Sequence, residues 1–210
     1  MENPTQKITV LCLIIISLIL SIASIYLPWW SIQTTRETQI AANTTITVDY
    51  TLLQMVAVHD PAMNKSVVVS FADLPADPAE RDNVSFLFNT TLILLIGGTV
   101  LNALTLICSV ISIFHRKLLK IQNIFGLAGA LLFVIAPFYI ATQAPAAMSN
   151  LDSVIPSEIS TLPGEAITNF WGTEGDWIWR AGFGWFLAFT ACLILAIESA
   201  IIRISVKEKY

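Results

Sequence analysis

The residue in this sequence best placed to do chemistry is Glu198, the one acid inside a long apolar stretch, Ala181 to Ile204. Ionisable groups within such stretches are candidates for moving protons or ions. Counting from Ala181 at ~1.5 Å per residue puts Glu198 roughly 25 Å along a helix. There its carboxylate can reach water or a cation such as Lys7, Arg116 or Lys117. Arg203 is five residues on and off its face. Structural anchoring is the expectation for Glu198, with a proton or ion role as the alternative. A second candidate is a polar stripe, Gly98, Asn102, Thr105, Ser109 and Ser112, whose spacing puts all five on one helix face. Read functionally, the stripe is a path for a small solute. Read structurally, it is a packing seam with Asn102 bonded across it, and the seam is the expectation because no ionisable group stands at mid-depth beside it.

Other chemistry is missing from the pattern. Cys12, Cys108 and Cys192 all fall in apolar stretches, so they read as small buried hydrophobes and leave the loops without a disulfide. His115 beside Arg116 reads as an interfacial residue. There is no His or Cys cluster for metal or haem, no phosphate-binding glycine loop and no nucleophile with a base. No cofactor and no enzyme activity are expected. An acidic chain, with pI near 5.1, also sets nucleic acid aside.

The elements that hold these residues are four apolar runs: 8–26, 86–114, 121–142 and 181–204. Each is long enough to cross a hydrocarbon core of ~30 Å as a helix. Of 210 residues, 55% are hydrophobic and 12% charged, and the mean hydropathy is +0.72. The expected fold is therefore a single four-span membrane domain over residues 1–210, an all-α bundle in a lipid bilayer, with long loops at 28–85 and 143–179. Lys7, Arg116, Lys117, Lys120, Arg203, Lys207 and Lys209 lie on one side against Glu2 and Glu208, a net +5; the two long loops net −8. Retention of basic residues inside predicts cytoplasmic termini and external loops in the cell membrane.

Two further cues agree with that orientation. Sequons at Asn43, Asn64 and Asn83 fall in the first long loop, as glycosylation of an external segment requires. A fourth, at Asn89, is expected to stay bare at the membrane. All six tryptophans (Trp29, Trp30, Trp171, Trp177, Trp179, Trp185) gather at the predicted outer surface, where such rings favour the headgroup layer. The first run exceeds the length of a signal-peptide core, so it reads as a retained anchor rather than a cleaved leader.

Helices in lipid associate through close packing and interhelical hydrogen bonds. Small residues should mark their contacts: Ser17, Ser21 and Ser24; Gly126, Gly129 and Ala130; Gly184, Ala188 and Cys192. A compact left-handed bundle follows. In the first loop Ile46, Val48, Tyr50 and Leu52 alternate with Thr45, Thr47, Asp49 and Thr51, which predicts a strand with one apolar face. Segments 30–40 and 65–71 are its expected partners, 41–44 the turn, and 72–82 an acidic, proline-containing loop. The second loop is expected to hold one short helix and a descending segment.

Four spans, inside termini, a stranded first outer loop, a short inner link and a smaller second loop together resemble the claudin and peripheral-myelin-protein tetraspan superfamily. In residues, Leu27-Pro28-Trp29-Trp30 is similar to the Leu-Pro-x-Trp that ends the first helix in claudins, with Trp30 in the place of the family's tryptophan. Asn169-Phe170-Trp171 and Gly182-Phe183-Gly184-Trp185 resemble the family's entry into helix four. Claudins follow that tryptophan with Gly-Leu-Trp and a pair of cysteines, and this first loop has neither. The resemblance thus implies a four-helix membrane bundle with a small extracellular antiparallel sheet, lacking the family's disulfide.

Function is expected in cell-surface contact, membrane organisation or service as an accessory subunit. The partner would be a second copy or another membrane or surface protein. Trp30, Trp171 and Trp177 are candidate contact residues, since tryptophan is enriched at binding hot spots. The alternative class is a small-solute transporter, channel or membrane-enzyme component using Glu198 and the polar face of helix two.

Overall fold

A computed structural model describes residues 4–36, 44–53, 55–60, 65–70, 78–115, 117–147 and 169–207. Four helices are each long and apolar enough to cross a membrane: α1 (Pro4–Tyr26), α2 (Pro78–Ser112), α3 (Leu118–Ala147) and α4 (Phe183–Lys207). Six strands accompany them: β1 (Trp30–Arg36), β2 (Thr44–Tyr50), β3 (Met55–Asp60), β4 (Lys65–Ser70), β5 (Gly172–Glu174) and β6 (Trp177–Ala181). The expected turn at 41–44, apart from Thr44, and the middle of the second loop lie outside the described residues, as do Asn43, Asn64 and Arg116.

The chain divides into two compact units. The first comprises residues 1–24, 93–137 and 186–210, and so contains part of every helix. Its buried positions recur every three or four residues: Val10, Ile14, Ser17, Ser21 and Ser24 on α1; Leu95, Gly98, Asn102, Thr105 and Ser109 on α2; Ala188, Ala191, Leu195, Glu198 and Ile202 on α4. On α3 Gln122, Gly126, Gly129, Phe133 and Ala136 repeat in the same way. Spacing of that kind averages 3.5 residues, the repeat that keeps one seam of a helix against its neighbours. Polar side chains fill much of the seam, while Ile8, Ile19, Ile93, Ile107, Ile124 and Leu131 face outward at more than half exposure. A water-soluble helical unit has the reverse arrangement.

Glycines permit the closest approaches. A Cβ on Gly98 would stand 2.8 Å from the Phe133 ring, and one on Gly129 only 3.4 Å from the Gly98 carbonyl oxygen. α2 and α3 therefore meet backbone to backbone at this level, the geometry small residues allow in lipid.

The second unit, residues 25–92 and 138–185, holds a six-stranded antiparallel sheet in the order β4-β3-β2-β1-β6-β5. β2 carries the alternation read from the sequence: Val48 and Tyr50 are buried, with Thr47 and Asp49 on the other face. Trp30, Ile32 and Trp179 share the buried face through the register Trp30↔Tyr50, Ile32↔Val48 and Ile32↔Trp179. Phe88 of α2 stacks on Tyr50, centroids 6.1 Å apart, and buried Val84 and Leu87 extend that cover. Within the expected segment 65–71, Lys65–Ser70 forms a strand, but this strand, β4, pairs with β3 rather than β2. The descending segment of the second loop is a hairpin, β5-β6, joined to β1.

Candidate functional site

Glu198 sits just past the middle of α4 with no exposed surface. Gln122, in the second turn of α3 and equally buried, donates from Nε2 to Glu198 Oε1 at 2.8 Å, and Ser199 Oγ donates to Oε2 at 3.3 Å. Among the described residues these are its hydrogen-bond partners, where the sequence suggested water or a cation. Gly126 makes the arrangement possible, because a Cβ there would lie 2.9 Å from Glu198 Oε2. Contacts run Gly126 to Glu198 and Gly129 to Leu195, so α3 and α4 are antiparallel and the start of one meets the end of the other.

About two turns away along α4, at Ala191, stands a second polar junction. Asn102 Nδ2 donates to Ser17 Oγ at 3.0 Å, and Ser17 Oγ donates to the Ala191 carbonyl at 3.1 Å, tying α2 to α1 and α1 to α4. Other hydroxyls of the seam turn back on their own helices: Thr105 to Leu101 O, Ser112 to Ser109 O, and Ser21 to Leu18 O. Such back-bonding satisfies a hydroxyl within apolar surroundings. Asn102 Oδ1 and Gln122 Oε1 are buried without a partner among the described residues.

Near the Glu198 pair a cavity of about 90 Å³ opens between α1, α2 and α3. Its polar lining is Lys7, Ser109, Ser112 and Gln122; its walls are aliphatic. Glu198 does not line it, but Gln122 bonds the one and lines the other. Among the described residues no group of three or more His, Cys, Asp or Glu is close enough to hold a metal, and all three cysteines are free thiols.

In the sheet-bearing unit the tryptophans divide. Trp30 is wholly buried, packs on Tyr50 at 5.2 Å and donates from Nε1 to the Phe170 carbonyl at 2.9 Å. It is a core residue and presents nothing to a partner. Trp179 makes the matching bond to Asn169 O. Trp171 is 54% exposed, with its ring edge-on to Trp185 at 5.8 Å, and Trp177 is half-buried. Burial pushes the Tyr50 phenol up.

The opposite sheet face carries Ser31, Gln33, Thr35, Thr45, Thr47, Asp49, Ile178 and Arg180. Arg180 reaches Gln33, and Ser31 bonds Asp49 across the strands. Asn83 is exposed, on the first turns of α2. Sequence reasoning missed Gln122, since attention went to ionisable groups. It also missed Ile178 and Arg180, because the boundary between the second loop, 143–179, and the last apolar run falls inside strand β6. No protein-family model and no curated protein matches this chain.

Proposed function

We propose that this is a multi-pass plasma-membrane protein, claudin-like in architecture and not an enzyme, that acts through contacts made by its sheet. The occasion would be cell-surface contact, membrane organisation or accessory service in a membrane complex, with a second copy or another membrane protein as partner. Membrane embedding is supported by the first unit's inverted distribution, polar seam inside and isoleucine outside. In water so much exposed apolar surface would drive aggregation; in lipid it is the natural exterior. The 3.5-residue repeat favours left-handed crossing, and the basic inner ends favour cytoplasmic termini.

The observation that carries the contact reading is where the polar side chains are used. Within the helices, Ser17, Asn102, Gln122 and Glu198 bond one another or a neighbouring backbone. An accessible polar surface built on regular structure is the sheet face, where Thr35, Thr45 and Arg180 are exposed and Gln33 and Thr47 partly so. A photo-crosslinking residue at Thr45, in native membranes, should capture a protein that one at lipid-facing Ile93 does not. Recovery of an uncrosslinked monomer from both positions would count against the reading.

A transporter or channel is the second reading, favoured by one observation, the cavity that reaches Gln122 beside Glu198. It predicts that Glu198→Gln changes solute or proton flux in proteoliposomes at an unchanged level of folded protein.

A further inference from the structure

Two sequons lie within α2, Asn83-Val84-Ser85 and Asn89-Thr90-Thr91, and the fold treats them differently. Val84, Leu87, Phe88 and Thr91 are buried, and Phe88 stacks on Tyr50, so this side of the helix is committed to packing. Asn83 lies ~100° round the helix from Val84 and is exposed, beside exposed Asp82 and less than a turn before Phe86, which is 67% exposed. A bulky substituent on its amide would displace nothing that packs. Asn89 is half-buried and donates from Nδ2 to Ser85 Oγ at 3.2 Å. Thr91, whose hydroxyl that second sequon needs, has no exposed surface and donates to the Leu87 carbonyl at 2.9 Å.

Depth separates the two further. A hydrocarbon core of ~30 Å takes about 20 helical residues, which counted back from Ser112 reaches Ile93. Headgroups add roughly 5–7 Å beyond it. At ~1.5 Å per residue Asn89 stands ~6 Å past Ile93, inside that layer, and Asn83 ~15 Å past it, clear of the layer.

We propose, on the reading that places residues 28–85 outside the cell, that Asn83 carries an N-linked glycan and Asn89 does not. Transfer joins Asn83 Nδ2 to the anomeric carbon of an oligosaccharide and breaks that carbon's bond to a lipid diphosphate carrier; the diphosphate leaves and the amide gives up one proton. In the closed helix the side chains at 83 and 85 point ~200° apart, so a transferase meets the asparagine together with its serine only before these turns form. Once they form, the glycan stands off the flank of α2, on the covered side of the sheet and not on the face of Thr45 and Arg180.

The test is cell-free translation of the full chain into microsomes that carry an oligosaccharide transferase, with glycans counted by gel mobility before and after enzymatic release. Asn83→Gln and Ser85→Ala should each remove one glycan, Ser85→Thr, which keeps the hydroxyl, should retain it, and Asn89→Gln should change nothing. Because transfer precedes folding, none of these readouts depends on the stability of the variant. A reporter sequon fused after Tyr210 reads the orientation separately. If Asn83→Gln removes no glycan the proposal is overturned: with the reporter bare, the orientation stands and Asn83 alone is wrong, whereas with the reporter glycosylated the orientation falls too. Loss of a glycan from Asn89→Gln overturns it as well.

Discussion

Replacing Gly126 by alanine tests whether Glu198 is locked against α3. The new Cβ would meet Glu198 Oε2 at 2.9 Å and Ser199 Oγ at 3.0 Å, with Thr105 Cγ2 at 3.6 Å behind it. To reach ordinary contact the carboxylate must retreat by roughly half an ångström. It cannot do so freely, because Gln122 holds Oε1 at 2.8 Å. Overpacking of this kind costs about 1–3 kcal/mol, while alanine over glycine in a helix contributes about 1 kcal/mol in the other direction. A net loss of about 1 kcal/mol is expected.

Two comparisons isolate the cause. At Gly97 the added methyl meets only the end of Leu132, Cδ1 at 3.2 Å, a group that can rotate away, so Gly97→Ala should be neutral or slightly stabilising. In a Glu198→Ala background the nearer obstacle is gone and the Ser199 hydroxyl, no longer bonded to the carboxylate, can rotate away, so Gly126→Ala should then stabilise; the coupling between the two sites is measured by a double-mutant cycle. Reversible unfolding in mixed micelles, followed by circular dichroism, gives all four free energies. If Gly126→Ala stabilises equally with and without the Glu198 carboxylate, the locked pair does not exist and the reasoning fails.

At Gly182 the conflict is with backbone, since a Cβ would fall 2.2 Å from the Pro28 carbonyl oxygen. Gly182→Ala should therefore cost the sheet-bearing unit more than about 3 kcal/mol, seen as rapid proteolysis of 28–85 in folded-protein preparations. Trp30→Phe removes the bond to Phe170 O from a fully buried site and should cost about 1–3 kcal/mol in tryptophan-monitored unfolding. Burial raises the Tyr50 phenol, so the folded state favours its neutral form. That contribution is complete below the ordinary tyrosine value near 10 and is lost as pH rises towards the raised one; above pH 10 Tyr50→Phe should lose less stability per pH unit than the parent. Glu198→Gln keeps a side chain able to bond Gln122 and Ser199, so the contact reading expects near-normal folded protein and no lost flux; flux lost from intact protein would move the function to the transport class.

The four helices were readable because a window of apolar residues long enough for lipid has few other interpretations. Their ends were less so. α2 begins at Pro78 rather than near residue 86, since Glu80, Arg81, Asp82 and Asn83 are helical but too polar to register as a span. Strand β2 announced itself through alternation, whereas β3, Met-Val-Ala-Val-His-Asp, has a nearly continuous apolar run with no period to read. Strand β6 was hidden differently. Trp-Ile-Trp looks like an interfacial belt, and its strand character appears only in the pairing with β1, a contact between residues more than 140 positions apart. Trp30 was misplaced for the same reason, because the sheet face that buries it is completed by β6 and Phe170.

Glu198 illustrates the limit in physical terms. An acid in an apolar helix is costly unless something at its own depth can donate to it, and the search for that partner naturally turned to lysine and arginine. Antiparallel packing supplies a different rule. A group a few turns from the end of α4 lies opposite residues a few turns from the start of α3, and the one polar residue there long enough to reach it is Gln122. Pairing depth against depth in this way needs only the span boundaries, and it would also have matched Asn102 with Ser17, each near the middle of its helix. A carboxylate held by an amide and a neighbouring hydroxyl is a fixed interhelical bond before it is a carrier of protons, so Gln122→Leu should cost the fold more than Ser199→Ala does, by leaving Glu198 without its shorter hydrogen bond.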